Sequence, residues 1–221
     1  MSIPKIIHQT WKDYNIPYDI YKKEWVDSWK EYHPAWKFMF WTDDDLRNLI
    51  KEDYSWFLST YDAYEYNICR VDAARYFIMH KYGGLYIDLD FECFKKFDDI
   101  LSYDLILGNC KLSPGMWMRQ LSIPNALMMS RPAHSLWEVV FLKMQENFDN
   151  MHKIKNSSKT TKVFLLTGPA LLYYSILYYR IIMNKKDIWV TPKNYFYPDF
   201  EPIDSYAKTY WTGVWYKKMR E

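Results

Sequence analysis

Cysteine is scarce in this chain, and what there is does not pair. Cys69, Cys93 and Cys110 are odd in number and widely spaced, with no Cys-x-x-Cys couple. That pattern excludes a disulfide framework and a structural zinc site, and it points to a reducing compartment. A dominant charge is also missing. The formal net charge is +2, without the strong basic character of a nucleic-acid binder, so no nucleic-acid partner is expected. Long hydrophobic runs are nearly absent. Only residues 163–179 lack charge over a length approaching the ~20 residues that cross a bilayer. Gly168-Pro169 interrupts that stretch, tyrosines dilute it and Arg180 closes it. It reads as a buried helix starting near Pro169 rather than a transmembrane span. No signal peptide precedes Ile3-Pro4-Lys5-Ile6-Ile7, so the expected location is the cytoplasm.

The composition is that of a folded enzyme-sized unit. The 221 residues are 49% hydrophobic and 25% charged, enough for one domain with a full core. The aromatic share of 20% admits two uses: platforms that stack on sugar faces, or ordinary core packing.

Periodicity suggests the order of elements. Lys5–Trp11 reads as a buried strand and Tyr18–Tyr32 as a helix stopped by Pro34. Trp36–Trp41 is strand-like, and Thr42 or Asp43 caps a helix through about Asp53. Residues 65–82 form a helix ended by Gly83, and Leu85–Asp90 a third strand. Asp104–Gly108 and Asn125–Ser130 read as strands, with a helix over His134–Met151. Lys153–Lys162 reads as a surface loop, followed by a helix from Pro169 to about Met183 and a strand near Ile188–Thr191. The tail from Tyr195 shows little regular pattern. This alternation predicts an α/β fold, a mainly parallel doubly wound sheet flanked by helices, with ligands beyond the carboxyl ends of the strands.

Asp88 and Asp90 fall at such an end. Two residues apart on an extended strand, they project from one face. Two neighbouring carboxylates suit a hard cation such as Mg²⁺ or Mn²⁺, whose other positions go to water or phosphate. Two solvated aspartates would look the same in isolation. Gly83-Gly84 allows a tight turn or a close backbone approach to a ligand. On the preceding helix Asp72 and Arg75 are three apart and share a face, either as a surface ion pair or as contacts to a sugar and a phosphate.

The run Asp72-Ala-Ala-Arg75-Tyr-Phe-Ile-Met-His-Lys-Tyr82-Gly83-Gly84-Leu-Tyr86-Ile-Asp88-Leu-Asp90 resembles the signature of the DXD-containing sugar-binding glycosyltransferases of family 32. That family includes yeast initiating mannosyltransferases and many bacterial polysaccharide transferases. Ile3–Trp11 is similar to its first strand, and Asn125-Ala126 and Thr167-Gly168-Pro169 match two later fragments. The glucosylating clostridial toxins share the core pattern more distantly. The resemblance implies a single GT-A-type domain over residues 1–221, with a nucleotide-sugar half over about 1–110 and an acceptor half over 111–221. It implies a UDP- or GDP-linked sugar donor, Mn²⁺ or Mg²⁺, a glycan or glycolipid acceptor and retention of anomeric configuration. Asp88 and Asp90 would serve the metal, with Asp90 the more direct ligand. Asp72 and Arg75 would contact the donor sugar and diphosphate, Trp11 would stack on the base, and the backbone around Ile7 and His8 would line the nucleoside pocket. Tyr82, Gly83 and Gly84 would border the donor, Asn125 would touch sugar or acceptor, and Trp215 would close over the diphosphate.

The tail departs from that family's pattern. Thr209 stands where a His is usual and Val214 where a Ser is usual, which leaves the third metal ligand open. A donor-binding protein without catalysis is therefore the alternative. Two other readings fit less of the sequence. A metal phosphohydrolase would need more clustered carboxylates or histidines, and a non-enzymatic binding module leaves Asp72–Asp90 unexplained. The lysines at 153, 155, 159 and 162 suit a solvated loop or a peripheral contact with an anionic membrane. The lack of an anchor implies a cytoplasmic enzyme of bacterial or viral type.

Overall fold

The computed structural model describes residues 2–110, 123–199 and 204–213. Its six-stranded sheet begins with β1 (Ile6–Thr10) and β2 (Lys37–Trp41), which run parallel and are joined by α1 (Lys23–Tyr32). Thr42 caps α2 (Asp43–Asp53) with a reciprocal capping box, its hydroxyl accepting from Asp45 N while the Asp45 carboxylate accepts from Thr42 N. The short α3 (Leu58–Ala63) leads into α4 (Asn67–Tyr82), which is buried over much of its surface, as a helix in the middle of a layered core must be.

Two glycines turn α4 into β3 (Gly84–Ile87). Gly83 has φ +62° and Gly84 φ +90°. A Cβ on Gly83 would meet Ser130 O at 2.7 Å, and one on Gly84 would meet Ile6 O at 2.5 Å. Only glycine tolerates both the backbone angle and the crowding. These glycines therefore let β3 pack against β1 at its amino end. The space left by their missing side chains is filled by the protein's own backbone.

The remaining sheet strands are β5 (Leu105–Gly108), β6 (Leu127–Ser130) and β7 (Ile188–Thr191), in the order β2-β1-β3-β6-β5-β7. Three of the five pairings are parallel, but β6 runs antiparallel to both β3 and β5. The fold is thus α/β with a mainly parallel sheet and helices outside it, and a reversed strand at its centre that periodicity could not orient. α5 (Ser135–Asp149), α6 (Lys159–Leu166) and α7 (Pro169–Leu177) pack along one side, and Pro169 opens α7. A π-helical turn, Tyr178–Ile182, extends α7.

Several boundaries differ from the sequence reading. The first helix starts at Lys23 rather than Tyr18, because Ile20 and Tyr21 both turn back to donate to Pro17 O. Residues 159–162 are helical rather than loop, since Ser158 caps α6 and Val163 and Leu166 anchor it to the core. The tail also holds structure: α8 (Lys193–Phe196), and β8 (Ala207–Thr209) pairing antiparallel with β4 (Phe91–Cys93). That pairing brings residues 207–212 back to the segment after β3. All three cysteines are buried and none is in a disulfide among the described residues.

Candidate active site

A cavity of about 840 Å³ opens at the carboxyl ends of β1 and β3. The structure brings Asp72, Arg75, Asp88, Asp90, Asn125 and Trp11 to its wall. Asp88 and Asp90 do not get there by strand alternation. β3 ends at Ile87, and the chain turns, Phe91 N donating to Asp88 O at 3.3 Å. The turn, with Leu89 buried at its apex, aims both carboxylates at one space.

The charges are wired together from below. Arg75 is 5% exposed, yet it meets three oxygens. Its Nη2 lies 3.1 Å from Asp72 Oδ1, its Nη1 lies 3.5 Å from Asp88 Oδ1, and Nη1 also donates to the Asn125 carbonyl at 2.9 Å. The guanidinium sits over the Tyr86 ring at 4.7 Å. Tyr86 OH donates to Asp88 Oδ1 at 2.9 Å, and Asn125 Nδ2 donates to Asp72 Oδ1 at 3.1 Å. Gly168 lies directly behind Asp72, whose Oδ2 would be 3.5 Å from a Cβ there. The Asp72–Arg75 pair is therefore a buried clamp rather than a solvated surface pair.

Burial and repulsion set the ionisation of these groups. Burial pushes the Asp72 carboxyl up to about 6 against the pull of Arg75. Asp88 is also raised by burial, held back by Arg75 and Tyr86. Asp90 is pushed up to about 6, first by burial and then by the charge of Asp88. Burial works to lower Arg75, but Asp88, Tyr86 and Asp72 overcome it and keep the guanidinium charged.

Asp90 has no cationic side chain against it among the described residues. Its Oδ2 accepts from Thr212 N at 3.0 Å and from Thr212 Oγ1 at 3.1 Å. Asp88 keeps about a third of its side chain open to the cavity. Two buried carboxylates repelling each other fit a hard divalent cation that takes few protein ligands. Among the described residues no cluster of three or more His, Cys, Asp or Glu side chains could hold a metal by itself. Water or diphosphate oxygens would have to complete such a shell.

Other predicted positions fall elsewhere. Ile7 is core, packed with Ile3 and Trp29. His8 is fully buried away from the cavity wall. Its Nε2 donates to Gly83 O at 3.0 Å and its Nδ1 accepts from Trp41 Nε1 at 3.1 Å. Tyr82 packs at a tilt against His8 and Trp41. Together with Gly83 and Gly84 these residues surround the opposite end of β3, so none of the five reaches the cavity. Trp11 does line it, edge-on to Tyr21 at 5.3 Å, with a buried indole Nε1 that has no partner among the described residues. Trp215 lies outside the described residues.

Sequence reasoning also missed part of the wall. Tyr21 from the turn before α1, Asp43 and Asn67 at two helix starts, and Thr209, Trp211 and Thr212 from the tail all face the cavity. Asn67 donates to Asp43 at 2.9 Å, and Tyr210 N donates to Asp90 O at 2.9 Å. The β4–β8 pairing decides that placement; the family resemblance points to the tail at Thr209 but gives no sign of Thr212.

Comparison with known proteins agrees with this geometry. Residues 20–107, which contain Asp72 to Asp90, match the family described as glycosyltransferase sugar-binding region containing DXD motif. Mannosyl phosphorylinositol ceramide synthase SUR1 of Saccharomyces cerevisiae is 38% identical over 87% of this chain and 44% of its own length. Inositol phosphoceramide mannosyltransferase 3 of Schizosaccharomyces pombe is 49% identical over 46% of this chain and 28% of its own length. The chain thus spans less than half the length of these two relatives. The solved PaToxG glycosyltransferase shares the fold, with a TM-score of 0.58 at 16% identity over 82% of this chain and 71% of that one. Residues 20–107 thus carry the sugar-binding region, with its DXD motif, that defines this family of glycosyltransferases.

Proposed function

We propose that this chain transfers a hexose from a nucleoside diphosphate sugar, UDP- or GDP-linked, to a hydroxyl of a glycolipid or glycan, with retention of configuration. The observation that carries this is the buried Asp72–Arg75–Asp88 chain of contacts ending beside Asp90 in one open cavity. Mannose as the sugar and an inositol phosphoceramide as the acceptor follow the names of the relatives. The donor half is 1–110 and the acceptor half 111–221 of one domain.

Trp11 stacks on the base. Asp72, fixed by Arg75 and Asn125, accepts hydrogen bonds from sugar hydroxyls. Arg75 has hydrogens near Asp88 and stabilises charge on the diphosphate side. Asp88 and Asp90 would hold Mn²⁺ or Mg²⁺, which would supply charge neutralisation on the diphosphate side. Thr212 fixes one Asp90 oxygen so that the other is free to bind. Double displacement would need a free carboxylate under the anomeric carbon. Asp72 is already bound to Arg75 and Asn125 and is unsuited to that task. Front-face transfer fits instead: the bond from the anomeric carbon to the phosphate oxygen breaks, the bond to the acceptor oxygen forms, and the acceptor proton passes to the departing phosphate.

The test is nucleoside diphosphate release from a panel of UDP- and GDP-sugars, with and without Mn²⁺, for wild type, Asp88→Asn and Asp90→Asn. Metal-dependent release that both variants lose supports the reading. Release that survives either change overturns it. A thermal shift with donor but no release from any sugar would identify a donor-binding protein, the reading favoured by Thr209 in the place of a usual His.

A further inference from the structure

The described residues leave twelve large apolar side chains exposed, and they are not scattered. Five of them, Tyr174, Tyr178, Ile181, Ile182 and Met183, follow one another along α7 and its π-helical turn. Tyr174, Tyr178, Ile181 and Ile182 recur at the spacing of one helical face. Ile181 and Ile182 are 70% and 65% exposed, and Leu142, also exposed, lies on the helix packed alongside. The wide turn presents both isoleucines outward together; such turns are uncommon and concentrate at functional positions. A groove of about 510 Å³ runs between α5 and this face.

The rim of the face is basic. Lys143 sits over the Tyr178 ring at 4.8 Å, and Arg180, Lys185 and Lys186 flank the isoleucines. Residues 172–186 contain no Asp or Glu. The acids nearest in sequence or contact are engaged: Glu146 pairs with Lys143 at 2.7 Å, and Asp187 accepts from Tyr179 OH at 3.1 Å. Among the described residues Lys185 and Lys186 have no acidic partner. A second copy docked face to face would place these cations against their own kind, which disfavours a symmetric dimer. Tyrosines at the border, aliphatics at the centre and lysines at the rim match the interface of an anionic bilayer.

We propose that this face seats the protein on a membrane surface rich in anionic lipid, with Ile181 and Ile182 entering the acyl boundary. The seating can be tested apart from catalysis on soluble donor, because Pro169 is the one residue of α7 and its π-helical turn among those lining the cavity. The experiment is cosedimentation of the whole chain with phosphatidylcholine vesicles, with and without phosphatidylserine. Wild type partitions to the anionic vesicles and salt weakens it. Ile181→Ser with Ile182→Ser lowers partition at least about tenfold. Lys185→Glu with Lys186→Glu removes the preference for phosphatidylserine. Circular dichroism and nucleoside diphosphate release from soluble donor stay at wild-type level, so a loss of partition is separable from a loss of the catalytic site. Wild type that ignores both vesicles, or variants that bind as wild type does, would overturn the proposal. So would a concentration-dependent dimer dissolved by the isoleucine changes without vesicle binding.

Discussion

The two ends of β3 are four residues apart and are built on opposite principles. At the amino end Gly83, Gly84, Tyr82 and His8 are packed, neutral and satisfied. At the carboxyl end Asp88 and Asp90, with Arg75 beneath them, hold charge in a place that does not fully compensate it. Burial favours the fold at the first end and opposes it at the second. The difference separates what keeps this molecule folded from what it is folded to do.

The largest effect should come from breaking the packed end. Gly84→Ala places a Cβ 2.5 Å from Ile6 O at φ +90°, and a loss of stability of about 3 kcal/mol or more is expected. Thermal unfolding measures it, and activity falls only because the fold does. Asp90→Asn sharpens the contrast from the other end. Turnover is expected to fall at least about a hundredfold while the protein becomes more stable near neutral pH. The raised carboxyl, shifted from 3.8 to about 6, costs stability as pH climbs through that window. Part exposure reduces the gain from removing the charge to about 1–2 kcal/mol. A variant less stable than wild type at pH 7 would contradict the account.

pH dissects the two ends without mutation. Burial drives the His8 imidazole down from 6.5 to about 4. The unfolded chain then takes up a proton that the folded protein refuses. Stability from this site is fully present above pH 6.5 and falls as pH drops towards 4, by about 3 kcal/mol. His8→Gln should flatten that acid limb in thermal melts taken across pH 4–7. The smaller effects lie at the cavity rim. Trp11→Ala should raise the donor KM about tenfold with kcat little changed, as expected for the loss of a stacking platform. Thr212→Val, which removes the hydroxyl bond to Asp90 Oδ2 and keeps the backbone one, should reduce turnover by only a few-fold.

Legibility followed the range of the interactions. Helix α4, its glycine stop and the clamp residues Asp72 and Arg75 lie within one continuous segment, where spacing alone states what shares a face. Gly83 and Gly84 illustrate the reverse error. A glycine pair beside a D-x-D motif suggests approach to a ligand, whereas the close neighbours are Ile6 and Ser130. Ile7 and His8 were misplaced for a similar reason: the first strand reaches the cavity only at its carboxyl end, at Thr10 and Trp11. α6 escaped notice because Lys159, Thr160, Thr161 and Lys162 have no apolar rhythm. Its helicity rests on the Ser158 cap and on two buried residues further along.

By itself the sequence determined the family signature, the alternating α/β order and the two carboxylates with their clamp. All of these are written in neighbouring residues, whose mutual geometry the backbone dictates. The tertiary structure alone decided that β6 runs against its neighbours, that a turn rather than a strand aims Asp88 and Asp90 together, and that β8 brings Thr209 and Thr212 over Asp90. The last rests on hydrogen bonds between segments more than a hundred residues apart, and β6 meets β3 only across the long stretch between Ile87 and Leu127. Such contacts form only when the core brings the segments together, and no local pattern carries a record of them.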